Sequence, residues 1–443
     1  MSAGTRRSTG DDDGLASLCV LPRNLPLHPQ PMNCPPSAPE RHRAFKLIFV
    51  PLLIFSLFAQ CAVVWTQLED IRDGYFDFVL YYSGAKIVND GNGAQLYDLE
   101  VQREYQKEFG SGYKDWDLPF NHPAYELLPL LILAKFSFPV AHALWAAINI
   151  LLLALILVRL FPFVEPTHRI LVALMMFAFF PTITALKMGQ DSVITAFLLV
   201  ETFVSLKRKR YAIAGGLLAL GLYKPQFVLP LVGIFLLHRR WSLIFGFLST
   251  GLLLGAISLA MVGWDGLMGL LSLWLPMIQR GHVVWPELMT NLRGLVYTTL
   301  HLGGLTEATN VLTLGLSILT YVLTLQLWPR NAEEQNELFN LRFALAVVMT
   351  ALVSFHLYSY DGTLLAIPLT IMLNQVLKEP SPYPVRHRVF LALLIAWFLP
   401  LVPNVLLSTA ILAWWALPLP ILFGVLGMEI WRRSALASPS VRR

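Results

Sequence analysis

The sequence predicts an all-α polytopic membrane protein with about twelve transmembrane passes. Three observations carry that reading. Of the 443 residues, 56% are hydrophobic and only 14% charged, where soluble domains carry about 25% charged residues. The apolar residues gather in repeated runs of roughly 17 to 25, the length of a membrane-crossing helix. The basic residues fall in short turns between those runs, at 207–210, 239–240, 386–388 and 432–433, the pattern of loops on the cytoplasmic side. That placement also sets aside a nucleic-acid reading of the formal charge of +5.

Residues 1–43 carry Pro, Ser, Asp and Arg without periodicity and are expected to be a disordered cytoplasmic tail. The first apolar run, 45–65, begins too far in for a cleaved signal peptide and is expected to stay as an anchor. From 44 to 432 the chain reads as one transmembrane domain, with 433–443 a second cytoplasmic tail. Cys19, Cys34 and Cys61 are scattered and imply neither a disulfide framework nor a metal site.

The first run is followed by a polar island, 67–122, which opens with Glu69, Asp70, Asp73 and Asp77. With the basic tail inside, this island is the first external loop. Further apolar runs lie near 124–138, 140–158, 169–186, 191–206, 211–237, 241–262, 308–328, 339–357, 362–377, 388–406 and 408–430. Parity keeps every basic loop inside if 121–138, which contains Glu126, Pro129 and Lys135, lies along the outer face as an interfacial helix. Parity also requires 211–237 to enter and return. Its length suits two short half-helices meeting at Lys224-Pro225 rather than two full spans of about 20 residues each. The external stretches are then the island, 187–191, 263–310 and 356–361.

Several residues on those stretches are chemical candidates. Asp77 stands beside Tyr81 and Tyr82, a carboxylate next to an aromatic shelf, although most loop aspartates are solvated or cap helices. Lys224 is an intramembrane cation, which is costly and a default functional candidate with an anionic partner such as a lipid phosphate; the plain alternative is a lysine reaching an interface. Gln190 lies in a Gly-Gln-Asp turn that by itself is weak. Asn291 and Arg293 follow a partly interfacial stretch, and Arg293 is either a phosphate fork or an anchor. His356, Tyr358 and Asp361 crowd one turn and can hydrogen-bond a sugar or a phosphate. No zinc-protease, nucleotide-loop or serine-hydrolase motif occurs.

Taken in order, FDFVLYYSGAKIVNDGNGAQLYD, NHPAYELLPL, WAAIN, GQDSVITAFLL, AGGLLALGLYKPQFVLPL, NLRGL and SFHLYSYDGTLLAIPL resemble glycosyltransferase family 87, over about 45–430. The family contains polyprenyl-phosphate-mannose-dependent mannosyltransferases of the GT-C type. The resemblance implies a GT-C type fold in a bacterial inner membrane, with its active site extracytoplasmic. It implies an inverting hexosyltransferase that moves a sugar, mannose in the family's characterised members, from a polyprenyl-phosphate carrier to a glycan or glycolipid acceptor. Asp77 matches the family's base and Lys224 the lysine of the broken hairpin. The expected site is therefore Asp77 as catalytic base, with Lys224, Arg293 and His356 on the donor phosphate. Tyr81, Tyr82, Gln190, Asn291, Tyr358 and Asp361 would contact substrate. No cofactor and no metal is expected, since a lipid phosphate already leaves well. The chain departs from the family pattern at Asn121-His122-Pro123, where relatives often carry Tyr-Pro-Pro, and at Tyr360-Asp361, where its mannosyltransferases are richer in histidine. The competing classes are a lipid-linked sugar flippase or transporter, which also uses broken helices, and a glycan ligase on the same scaffold.

Overall fold

A computed structural model describes residues 38–109, 118–280, 286–305, 308–378, 391–392, 395 and 416–437. The expectations for the N-terminal tail before residue 38, the loop 379–390, the run 388–406 apart from three positions, and the C-terminal tail after 437 lie outside the described residues. The chain divides into two units, Met1–Ala44 and Phe45–Arg443; of the first, only the helical turn from Ala38 is described. Every regular element among the described residues is helical.

Four helices are long and apolar enough to cross a membrane: Phe49–Thr66, Phe138–Phe163, Trp241–Leu275 and Thr309–Leu327. A fifth span results if Pro166–Phe177 and Phe180–Met188, bent by 46° at their junction, count as one. By length and composition the described residues thus show four or five such helices, and the expected dozen is not confirmed. Several remaining apolar runs form helices of 10 to 17 residues, at or below the length of about 17 to 25 residues that a spanning helix needs.

The elements that position the site are few. The first helix, α1 (Ala38–Thr66), is followed by α2 (Leu68–Arg72), α3 (Phe78–Asn89) and α4 (Leu99–Phe109). The polar island is therefore not a plain loop. Phe78, Val79, Tyr81, Tyr82 and Ala85 of α3 are buried against Leu96, Phe120, Leu127 and Trp145, so the helix uses its apolar side as a floor. Next come a 3-10 turn at Ala124–Leu127 and α5 (Leu128–Leu133). These ten residues reach only about 15 Å and cannot cross a bilayer alone. Then α6 (Phe138–Leu160) leads to α7 (Arg169–Phe177), α8 (Phe180–Met188) and α9 (Ser192–Lys207).

The α7–α8 break exposes the carbonyl of Ala178, and α1 satisfies it. Gln60 Nε2 donates to Ala178 O at 2.8 Å and to Ser56 Oγ at 2.9 Å. A broken helix is tolerable in an apolar setting only when its freed backbone groups find such partners, which explains a glutamine in an otherwise apolar run.

The segment 211–237 consists of α10 (Tyr211–Leu220), a 3-10 turn at Gly221–Tyr223, and α11 (Pro225–Leu237). The break falls at Lys224, whose φ of −119° and ψ of 70° are not helical. Pro225 has no N–H to donate and preorganises the start of α11. Helix α12 (Trp241–Arg280) runs on past residue 262, where an external stretch was expected, and kinks at Gly263, with φ 68° and ψ −175°. Gly263-Trp264-Asp265 reads as a turn, but the apolar residues after it restart the helix at once. The remaining elements are α13 (Leu292–Leu302), α14 (Thr309–Leu327), α15 (Glu337–Val353), α16 (Ala366–Lys378) and α17 (Pro418–Ala437). Helix α15 is apolar on all sides and nearly every residue of it is buried, the mark of a central helix.

Candidate active site

Asp77 stands at the residue before α3, yet its carboxylate does not cap that helix. It faces the turn between α8 and α9 instead. Gly189 closes α8 in the left-handed region at φ 70°, a conformation suited to glycine. It also lies so close to α3 that a Cβ there would stand 2.5 Å from Phe78 Cβ. Trp145 Nε1 pins the turn by donating to Gly189 O at 2.9 Å. Its backbone thus fixed, the next residue reaches Asp77: Gln190 Nε2 donates to Asp77 Oδ2 at 2.6 Å, and Gln190 Oε1 accepts from Tyr81 Oη at 3.0 Å. Asp77 Oδ1 has no hydrogen-bond partner among the described residues.

Asp77 keeps part of its surface open, but the protein around its carboxyl outweighs this. Burial raises its pKa to about 6, against the lowering effects of the Gln190 bond and the Lys224 charge.

Lys224 lies one step deeper and is 5% exposed. Three oxygens surround its three protons: Asp361 Oδ1 at 2.7 Å, Asp191 Oδ1 at 2.6 Å and Ser192 Oγ at 3.1 Å. The Asp191 contact has the distance of a hydrogen bond without its angle, and neither Asp191 oxygen accepts a hydrogen bond, so charge alone holds that pair. Ser192 Oγ donates to Asp361 Oδ1 at 2.8 Å, and Asp361 Oδ2 accepts from the Tyr358 N–H at 3.3 Å. Asp361 therefore joins the start of α9, the α10–α11 break and the turn before α16. The Tyr360 ring lies 5.4 Å from the ammonium, within cation–π reach.

On the other side of Asp191, His122 Nδ1 and Glu126 Oε2 are 2.7 Å apart. The 3-10 turn at Ala124–Leu127 carries Glu126 inward, where Oε1 has no hydrogen-bond partner among the described residues. Burial, reinforced by the Asp191 charge, holds Glu126 well above the usual carboxylate range. Burial lowers the His122 pKa to about 4, so its imidazole is neutral at ordinary pH. His356, also pushed to about 4 by burial, feels the charges of Asp361 and Lys224 and the neighbouring His122. Its ring lies 4.4 Å from that of Tyr358, which in turn lies 5.9 Å from Tyr360. His122, Glu126 and Asp191 are also the one group among the described residues whose ligand atoms lie close enough to share a metal ion, all within 4.8 Å of one another.

The structure thus brings together Asp77, Tyr81, Gln190, Lys224, His356, Tyr358 and Asp361. Tyr82 is placed differently: its ring is buried and its hydroxyl donates to Phe136 O at 2.7 Å. Asn291 is fully buried and acts as a brace. It accepts from Gly294 N at 3.1 Å to cap α13 and donates to Ser354 O at 2.5 Å. With Thr290 N donating to Leu357 O at 2.9 Å, it ties the start of α13 to the His356 turn. Arg293 starts α13 and donates to Asn310 Oδ1 at 2.8 Å. Sequence reasoning passed over His122, Glu126, Asp191 and Ser192 as site residues. The signal was present in the His-x-x-x-Glu spacing before an apolar run and in the full Gly-Gln-Asp-Ser turn, but both are common outside active sites.

A half-buried carboxylate held by an amide, beside an ammonium and an aromatic wall among apolar helices, suits polar chemistry on a membrane-borne substrate. The family model of glycosyltransferase family 87 matches residues 120–355, more than half of the 443 residues. The chain belongs to glycosyltransferase family 87, and is a glycosyltransferase with membrane-type helices. The matched segment contains His122, Glu126, Gln190, Asp191, Lys224, Asn291 and Arg293, while Asp77 precedes it and His356 and Asp361 follow it. No curated protein and no solved structure matches the chain significantly.

Proposed function

We propose that the protein is an inverting, polyprenyl-phosphate-sugar-dependent hexosyltransferase that works at the extracytoplasmic face of a bacterial inner membrane. Mannose is the sugar and a glycan or glycolipid hydroxyl is the acceptor. The observation that carries the reading is Asp77, a carboxylate oriented through Oδ2 by Gln190, with Oδ1 left for a proton. The acceptor oxygen attacks the anomeric carbon while its proton passes to Asp77. The new C–O bond forms opposite the bond to the carrier phosphate, which breaks with its electron pair and leaves as the lipid phosphate. A base near neutrality suits this step, because general-base catalysis works best when the pKa approaches the working pH.

The donor phosphate lies at the junction of the α13 start and the His356 turn, where Arg293 and His356 supply donors and stabilise the leaving charge. Lys224, which donates to Asp361 and Ser192 and faces the charge of Asp191, holds that wall rigid from behind and adds its charge over a longer distance. Tyr358 and Tyr360 offer ring faces and hydroxyls to the sugar, while Tyr81, buried with its hydroxyl on Gln190, fixes that amide from behind.

The test is transfer by the purified protein in liposomes, with a radiolabelled polyprenyl-phosphate mannose and a glycolipid acceptor. Label should move to the acceptor with inverted configuration. Asp77→Asn should lower the rate by about 10²–10⁴-fold while donor still binds. Movement of donor across the bilayer without transfer would make the protein a flippase, and transfer of a whole preassembled glycan would make it a ligase. Loss of donor binding in Asp77→Asn would mean that Asp77 positions substrate and does not take the proton.

A further inference from the structure

We propose that His122, Glu126 and Asp191 form a binding site for one divalent metal ion of the Mn²⁺ or Mg²⁺ class. Three observations converge on it. The ligand atoms of the three side chains lie within 4.8 Å of one another. Metal–oxygen and metal–nitrogen bonds of about 2.0–2.2 Å place neighbouring ligands about 3–4.5 Å apart, so small side-chain rotations complete the shell. Glu126 Oε1 and Asp191 Oδ2 are buried without a hydrogen-bond donor among the described residues, the two carboxyls lie against each other, Asp191 Oδ1 faces Lys224 Nζ at 2.6 Å, and Asp191 is 2% exposed. Native proteins rarely leave such lone pairs unmet.

The third observation is charge. The carboxylates of Glu126, Asp191 and Asp361 face the single ammonium of Lys224. Ionised together, as ion binding requires, the three would leave a formal excess of two negative charges in a buried place, which one divalent cation balances. Lys224 and the ion do not compete outright, since Asp191 presents Oδ1 to Lys224 and keeps Oδ2 for the ion. Two carboxylates and one imidazole make an oxygen-rich, hard set that favours Mn²⁺ or Mg²⁺ over thiophilic metals. The simpler occupant is a proton shared between Glu126 and Asp191, and the experiment separates the two.

Full-length protein in detergent, stripped with chelator, is titrated with Mn²⁺ alone, and free and bound ion are read by electron paramagnetic resonance. The expected result is one saturable Mn²⁺ per chain whose spin-echo signal carries ¹⁴N modulation from an imidazole. Glu126→Gln should weaken binding by about 10-fold or more. His122→Gln should remove the nitrogen modulation, and Asp77→Asn should leave affinity and modulation unchanged. Melting temperatures of the variants show that each is folded; if one is not, the wild-type spectrum decides alone. No saturable Mn²⁺, or bound Mn²⁺ without nitrogen coupling, overturns the proposal in favour of a shared proton or a site elsewhere. Loss of binding in Asp77→Asn would also overturn it, by moving the ion to Asp77. No donor or acceptor enters the measurement, so its outcome is independent of the sugar-transfer reading.

Discussion

The two ends of α9 treat charge in opposite ways. At the Lys207 end, cations and carboxylates are matched and partly open to solvent. Arg159 grips Glu201 through two nitrogens, Arg240 Nη2 lies 2.9 Å from Glu334, which also accepts from Tyr211, and Lys207 donates to Asn340. About 24 Å away along the helix, the Ser192 end gathers Asp77, Glu126, Asp191 and Asp361 around Lys224, nearly all of them buried. There the carboxylates outnumber the cation and several oxygens have no hydrogen bond among the described residues. Water can complete a half-exposed pair, so the Lys207 end fixes helix ends at little cost. The Ser192 end gathers more buried carboxylates than cations, which makes it the candidate place for a substrate, a proton or an ion. The proposed function therefore rests on the buried charge at one end of the helix, while the matched charge at the other end serves its architecture.

Removing one cation from each end should separate them most sharply. Lys224→Met leaves Asp191 and Asp361 buried without a counter-charge and should cost about 3–5 kcal/mol, read by thermal or denaturant unfolding in detergent. Adding Asp361→Asn to that chain should restore part of the loss, because the uncompensated charge is then smaller. If Lys224→Met unfolds no more easily than the wild type, the buried ion triad is not what holds α9, the α10–α11 break and the Asp361 turn together. Next in size is Gly189→Ala. Its Cβ would press on Phe78 and its φ would be strained, so Gln190 should shift relative to Asp77 and transfer should fall by about 10²-fold, the usual cost of a misplacement near 1 Å. Full activity in that variant would free Asp77 from the turn. At the Lys207 end, Arg240→Met should cost about 1 kcal/mol or less, since the pair is partly exposed. The smallest effect is Lys209→Gly: Lys209 is exposed with φ 56°, and glycine should stabilise the turn by up to about 1 kcal/mol by relieving its left-handed strain.

Much of this contrast was legible in the residues themselves. The basic pairs announced the Lys207 end, and Lys224-Pro225 between two basic flanks announced a broken helix. The acidic start of the island offered Glu69, Asp70, Asp73 and Asp77 alike, and only the family resemblance singled out Asp77. What stayed hidden depends on distance along the chain. Lys224 meets Asp361 across 137 positions, and Glu126 approaches Asp191 from a segment that read only as an interfacial helix. No local pattern encodes such meetings. The described residues do not settle the number of passes, because apolar composition reports burial equally well in a bilayer and in a protein core. Helix α15 is buried by its neighbours, while only 6% of the Thr309–Leu327 span in α14 is buried by protein. Gly263 misled for a related reason: a glycine beside Trp and Asp has the chemistry of a turn, but here it supplies a kink in a continuing helix.

The central claim is that a partly desolvated Asp77 takes the proton of the acceptor, and the pH dependence of transfer tests it most directly. Burial raises the Asp77 pKa to about 6, and only its ionised form can act as base. The rate should therefore be level above that pH and fall tenfold per unit as pH drops well below it. In Asp77→Asn the residual rate should lose this limb altogether. A wild-type profile that stays flat through pH 6, or an acid limb that survives unchanged in Asp77→Asn, would assign the proton to another group and contradict the account.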